Sequence, residues 1–158
     1  MLLLYVLFGT YLFTLVASRI IKGEFKSRIA GRAGFSAVLL LTGVGHFIYP
    51  EGLVMMMPES IPFKLEWVYI TGVIELAAAI GLLIPKTQKL TAWLLIVFLV
   101  LIFPCNIYAA MHHVDFQKAT NDGSGIEYLW FRIPLQLFFI GWTYYFGIYV
   151  DRKKQVSL

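Results

Sequence analysis

Charge and cysteine are both scarce in this chain. A single cysteine, Cys105, stands among 158 residues. One chain therefore cannot form an internal disulfide, and two-cysteine redox chemistry is excluded. Only 14% of residues are charged, while 59% are hydrophobic, a balance too apolar for an ordinary soluble domain. No Gly-, Pro- or Ser-rich linker and no strong internal repeat divides the chain, so residues 1–158 are expected to form a single membrane domain. The net charge of +4 is mildly basic, but the basic residues are spread unevenly and read as topology signals rather than as a nucleic-acid surface.

What is abundant is long apolar runs. Five stand out: Leu2 to Ile21, Ala33 to Tyr49, Trp67 to Ile84, Leu90 to Met111 and Tyr128 to Val150. Each is close to the ~17–25 residues a spanning helix needs. The alternating short strands of a membrane barrel are missing, so the runs are read as helices. Arg19, Lys22, Lys26, Arg28 and Arg32 follow the first run and no basic residue precedes it, which favours a retained helix over a signal peptide. Lys86 and Lys89 follow the third run, and Arg152, Lys153 and Lys154 follow the fifth. The remaining connections carry mainly Glu51, Glu59, Asp115, Asp122 and Glu127. Five spans with the N-terminus outside and the C-terminus cytoplasmic satisfy this pattern. The connection from His112 to Glu127, polar and glycine-containing, is expected to be mobile.

Glu75 breaks the third run. A charge near the middle of a membrane helix costs about 2.5–3.5 kcal/mol on insertion scales, so such a residue usually faces the protein interior and marks function. At a rise of ~1.5 Å per residue, Glu75 and Gln136 lie about 12 Å below the outer boundary, Asn106 about 8 Å, Arg132 about 6 Å and His46 about 5 Å. Five polar residues from four runs thus share the outer half of a hydrocarbon core ~30 Å thick. Arg132 and Gln136, four apart, share one helix face. Gly72 beside Glu75, and Gly43 and Gly45 beside His46, make room for neighbouring backbone. A shared site built from His46, Glu75, Asn106, Arg132 and Gln136 is the functional reading.

Each residue also has a plainer role. Glu75 can be a protonated interhelical bond, Arg132 can snorkel to headgroups, Asn106 and Gln136 can be interhelical glue, and His46 a packing histidine. Met55, Met56, Met57, Met111, His112 and His113 are soft ligands suited to copper, but their spacing matches no metal motif and no metal site is expected. Cys105 lies in an apolar stretch and reads as inert.

The blocks "GVGHFIYP", "MPESIP", "ITGVIELAAAIGLLIPKTQKLTAW", "FPCNIYAA" and "RIPLQ", in that order over roughly residues 34–146, resemble the DoxX-like membrane proteins. The resemblance implies an all-α integral membrane fold: a four-helix bundle over 33–150 with an added N-terminal helix at 1–21. It also implies a place in the cytoplasmic (inner) membrane, and His46, Glu75, Asn106, Arg132 and Gln136 fall on the family's recurring polar positions. Cys105 departs from the small residue usual before that asparagine. The family is similar to subunits or companions of membrane sulfur and quinone oxidoreductases. The expected role is therefore binding of a quinone or lipid-like ligand beside an oxidoreductase partner, with no cofactor ligand set in the chain itself. A non-enzymatic assembly factor or structural protein, and a small transporter using Glu75 as proton site, are the alternatives. The bilayer is the expected environment, nucleic acid is not an expected partner, and the oligomeric state is open.

Overall fold

The computed structural model describes residues 1–150, so the basic tail at Arg152, Lys153 and Lys154 lies outside the described residues. The fold is all-helical, with no strand among the described residues. Six α-helices follow one another: α1 Leu2–Lys22, α2 Ser27–Ile48, α3 Pro50–Met55, α4 Lys64–Gly81, α5 Gln88–Met111 and α6 Glu127–Tyr144. A π-helical stretch, Tyr145–Tyr149, continues α6.

Local chemistry sets the boundaries. α1 ends at Gly23, whose φ of 69° lets its N–H bond back to the Arg19 carbonyl, a conformation that suits glycine. Pro50 opens α3, where its missing N–H costs nothing. α4 starts after Phe63, which adopts a left-handed φ of 55°, and Lys64 pins the preceding turn through its ammonium to the Met57 carbonyl at 3.1 Å. α2 begins well before the apolar run that marks it, because Arg28 and Arg32 are good helix formers and Arg32 is folded inward, 9% exposed.

α2 is the centre of the assembly, with α1 on one side and α4 on the other, while α5 and α6 form a second antiparallel pair. Glycines allow the closest approaches. A Cβ on Gly34 would stand 2.8 Å from the Leu7 carbonyl, and one on Gly43 would meet Leu76 at 2.9 Å and the Gly72 carbonyl at 3.2 Å. Gly45 has nothing within 4 Å, so of the two glycines flagged beside His46 only Gly43 makes room for α4. The core centres on Leu7, Phe35, Leu39, Ala79, Leu95 and Phe139. α1 contributes the fully buried Leu7 and meets α6 through the T-shaped pairs Phe8–Trp142 and Tyr11–Trp142.

Three helices, Leu2–Lys22, Ser27–Ile48 and Gln88–Met111, are long and apolar enough to cross a membrane. The sequence reading expects five spans. α4 differs because Lys64, Glu66 and Glu75 share its 18 residues. α6 differs because Glu127, Arg132, Gln136 and several Tyr and Trp residues dilute its apolar content.

The connection expected to be mobile is tied down by hydrogen bonds. Asp115 and Thr120 exchange backbone hydrogen bonds at 2.8 and 3.3 Å, and the Gly123 N–H reaches the His113 carbonyl at 2.7 Å. The Asp115 carboxylate accepts the N–H groups of Gln117 and Lys118, and the Lys118 ammonium bridges Asp115 and Asp122. This connection lies against α3: Tyr49 and Phe116 form a T-shaped pair 6.1 Å apart. Desolvation pushes the Asp115 carboxyl up, but the two amide bonds and the Lys118 ammonium outweigh it and hold the group below its ordinary range. A carboxyl lowered in this way supports the folded loop above its unfolded pKa of ~3.9, and the support is lost as pH falls through the lower folded value. Asp115→Ala should therefore lower the amide protection factors across 113–123 at neutral pH, and acidifying the wild type should lower them too once the slower intrinsic exchange at low pH is divided out. Unchanged exchange in the variant would show the loop is held by packing alone.

Candidate buried polar site

Helix α2 presents Thr42 and His46 one turn apart, and α4 presents Glu75 toward them. The Thr42 hydroxyl bonds the Val38 carbonyl at 3.1 Å and is one of the polar groups acting on the Glu75 carboxyl. His46 Nδ1 is 2.9 Å from the Thr42 carbonyl, an acceptor only, so Nδ1 carries the proton and Nε2 is left as an acceptor. The same Nδ1 stands 3.9 Å from Glu75 Oε2. Gly72 permits this approach: a Cβ there would sit 2.7 Å from His46 Cβ.

Glu75 is 6% exposed, so the carboxyl in the apolar run does face the interior. Among the described residues the titratable side chain nearest its carboxyl is His46, with Nδ1 3.9 Å away, and the charge of Arg132 reaches it at longer range. Two polar atoms here are buried without a hydrogen-bond partner: Glu75 Oε2 and Arg132 Nε. Unpaired buried polar groups each cost about 1–3 kcal/mol, and they are the atoms a ligand would satisfy.

Gln136 and Asn106 are placed differently. Gln136 Nε2 donates to the Leu99 carbonyl at 2.6 Å. Asn106 Nδ2 donates to the Ile102 carbonyl of its own helix at 3.3 Å. Both bonds end on the stretch of α5 around Pro104. Pro104 lacks an N–H, so the Val100 carbonyl loses its helical donor, although α5 runs on unbroken to Met111. The five candidate residues therefore divide. His46 and Glu75 approach one another within the field of the Arg132 charge, while Gln136 ties α6 to α5 and Asn106 bonds within α5. Cys105, next to Asn106, is half-buried and free. No group of three or more His, Cys, Asp or Glu side chains suited to a metal occurs among the described residues. His113 instead approaches the Gly123 carbonyl at 3.3 Å, and His112 the Tyr108 carbonyl at 2.9 Å.

A second polar knot lies at the opposite end of the bundle, where the sequence offers only loop charges. Arg32 Nε donates to the Phe146 carbonyl at 3.0 Å, and its guanidinium also bonds Gln88 Oε1. Trp142 Nε1 donates to the Gly31 carbonyl at 2.9 Å. Together these bonds join α2, α5 and the end of α6, and the π-helical turn lies where Arg32 engages the backbone. The one sequence signal for this knot is that Arg32 stands among small residues, Ala30, Gly31, Ala33 and Gly34.

A model of a domain of unknown function, DUF8561, matches residues 35–147. That stretch takes in His46, Glu75, Asn106, Arg132 and Gln136 and leaves α1 and Arg32 outside. No curated protein and no solved structure matches the chain.

Proposed function

The chain belongs to the DUF8561 family, and on that premise we propose that it is an integral membrane protein whose His46, Glu75 and Arg132 side chains hold the polar head of a quinone or lipid-like amphiphile. The observation that carries this reading is the pair of buried, unpartnered atoms, Glu75 Oε2 and Arg132 Nε. A quinone oxygen accepts a bond from the Arg132 fork, and its apolar tail prefers the surrounding lipid. An apolar groove of about 300 Å³ between α1 and α6, lined by Leu4, Phe8, Phe131, Pro134 and Phe138, begins in the same turns of α6 that carry Arg132.

In this reading α4 and the α6–π rod span the bilayer with the three more apolar helices, giving five spans. The charge pattern puts the N-terminus outside and the C-terminus in the cytoplasm. The resemblance to DoxX-like proteins supports the bundle and a membrane oxidoreductase as partner, from which electrons would come.

The test is a thermal shift with a short-chain benzoquinone. A ligand at ~100 times its Kd adds about 2.7 kcal/mol to the folded state. The wild type should gain melting temperature with quinone, and Glu75→Gln and Arg132→Gln should gain little. Equal shifts in all three would remove the site from consideration.

A second reading, a structural or assembly protein, is favoured by Gln136, whose amide already bonds the Leu99 carbonyl of α5. Gln136→Leu separates the two. A neutral bond between membrane helices averages only ~0.6 kcal/mol, so folding should survive. A quinone shift kept at the parental level would make Gln136 glue alone; a weakened shift would add it to the site.

A further inference from the structure

The buried unpartnered atoms do not stop at the Glu75 site. Ser36 Oγ and Thr143 Oγ1 are also buried without a partner, and their residues are 2% and 3% exposed. Ser36 is one turn along α2 from Arg32, and Thr143 is one turn along α6 from Phe146. The 3.0 Å bond from Arg32 to the Phe146 carbonyl and the 5.2 Å contact between the Phe35 and Phe139 rings fix the antiparallel register of these two helices. In that register Ser36 is level with the Thr143 turn, Thr42 with Gln136, and His46 with Arg132. The inward arc of α2 therefore carries Arg32, Ser36, Thr42 and His46 from one end of the bundle to the other. From Ser36 to Thr42 the rise is about 9 Å at 1.5 Å per residue, and the Phe35–Phe139 pair stands at the Ser36 end of this interval.

We propose that the α2–α6 seam is a proton path, with the Phe35–Phe139 pair as its constriction, joining the Arg32 end of the bundle to Glu75. Buried hydroxyls with no protein partner are suited to hold water, and apolar constrictions gate by excluding it. A proton enters as hydronium at the Arg32 end and is handed along water held by Ser36 and Thr143. An O–H bond then breaks on the last water and forms on Glu75 Oε2. It leaves when the O–H bond on Glu75 breaks and the proton passes to water at the far end. The charged groups acting on Glu75 are His46 of α2 and Arg132 of α6. Nothing in the path requires the amphiphile, so the path and the quinone reading stand or fall separately.

The experiment uses the full chain in phosphatidylcholine vesicles with an entrapped pH-sensitive dye, a potassium gradient and valinomycin. Wild-type vesicles should acidify several-fold faster than protein-free ones. Glu75→Gln and the double variant Ser36→Ala/Thr143→Val should each fall to the protein-free rate, and Phe139→Ala should exceed the wild type. The double variant should keep or raise its melting temperature, because the hydroxyls it removes have no protein partner, so its loss of flux cannot be ascribed to misfolding. The proposal is overturned if wild type and Phe139→Ala both match protein-free vesicles. It is equally overturned if wild-type flux survives in either Glu75→Gln or the double variant. The quinone-induced thermal shift is measured without a gradient and is unaffected by either result.

Discussion

Arg32→Met should destabilise the protein by about 3 kcal/mol, since hydrogen bonds to charged groups contribute ~1.5–3 kcal/mol each and orphaned partners add their own penalty. The guanidinium holds the Phe146 carbonyl and Gln88 at once, so removing it takes that donor from a half-buried carbonyl and a half-buried amide oxygen. Methionine keeps most of the volume, which restricts the loss to the polar contacts. Arg32→Lys should recover part of the stability, because one ammonium cannot reproduce a two-sided fork. Denaturant or thermal unfolding in detergent measures both. A loss under ~1 kcal/mol, the scale of an ordinary neutral hydrogen bond, would mean that the knot at this end contributes little to holding α2, α5 and α6 together.

Gly52→Ala should be nearly as damaging, for a steric reason. Gly52 is buried in α3, and a Cβ there would fall inside van der Waals contact with the Phe116 carbonyl, carbon and Cα. The obstacle is backbone, so no side-chain rotation relieves it. Overpacking typically costs about 1–3 kcal/mol, and here the contact between α3 and the connection 112–126 must separate. The expected result is lower stability together with faster amide exchange at both 50–55 and 113–123. Exchange that rises in only one segment would show that the two connections are not one packed unit. Gly45→Ala is the control, since nothing lies within 4 Å of that position.

Much of the helical framework is legible in the sequence because membrane helices are long and uninterrupted. The five apolar runs correspond to α1, α2, α4, α5 and the α6–π rod. The start of α2 was not legible: Arg28 and Arg32 read as loop charges, and only the three-dimensional neighbours of Arg32 reveal a buried fork. The inward turn of Glu75 was legible from its cost in an apolar run. Its partner was not, because Arg132 and His46 lie at similar depths and depth carries no azimuth. The azimuth comes from Gly43 and Gly72, which bring α2 against α4 and put His46, rather than Arg132, beside the carboxyl. Gln136 shares a helix face with Arg132, as its spacing predicts, yet bonds to α5. Which carbonyl is within reach depends on how α5 and α6 are rotated against each other, and residue spacing does not encode that. The hydrogen bonds of the 112–126 connection were not legible: its polar, glycine-containing composition reads as mobile, and the bonds that hold it depend on the folded backbone.

The central claim is that the buried polar atoms of Glu75 and Arg132 serve an amphiphile with an oxygen-bearing head. Mass spectrometry of small molecules extracted from gently purified protein tests it most directly. The account predicts one such amphiphile enriched over the bulk membrane extract in the wild type, and depleted in folded Glu75→Gln and Arg132→Gln. An extract matching bulk membrane lipid in the wild type and both variants would contradict it.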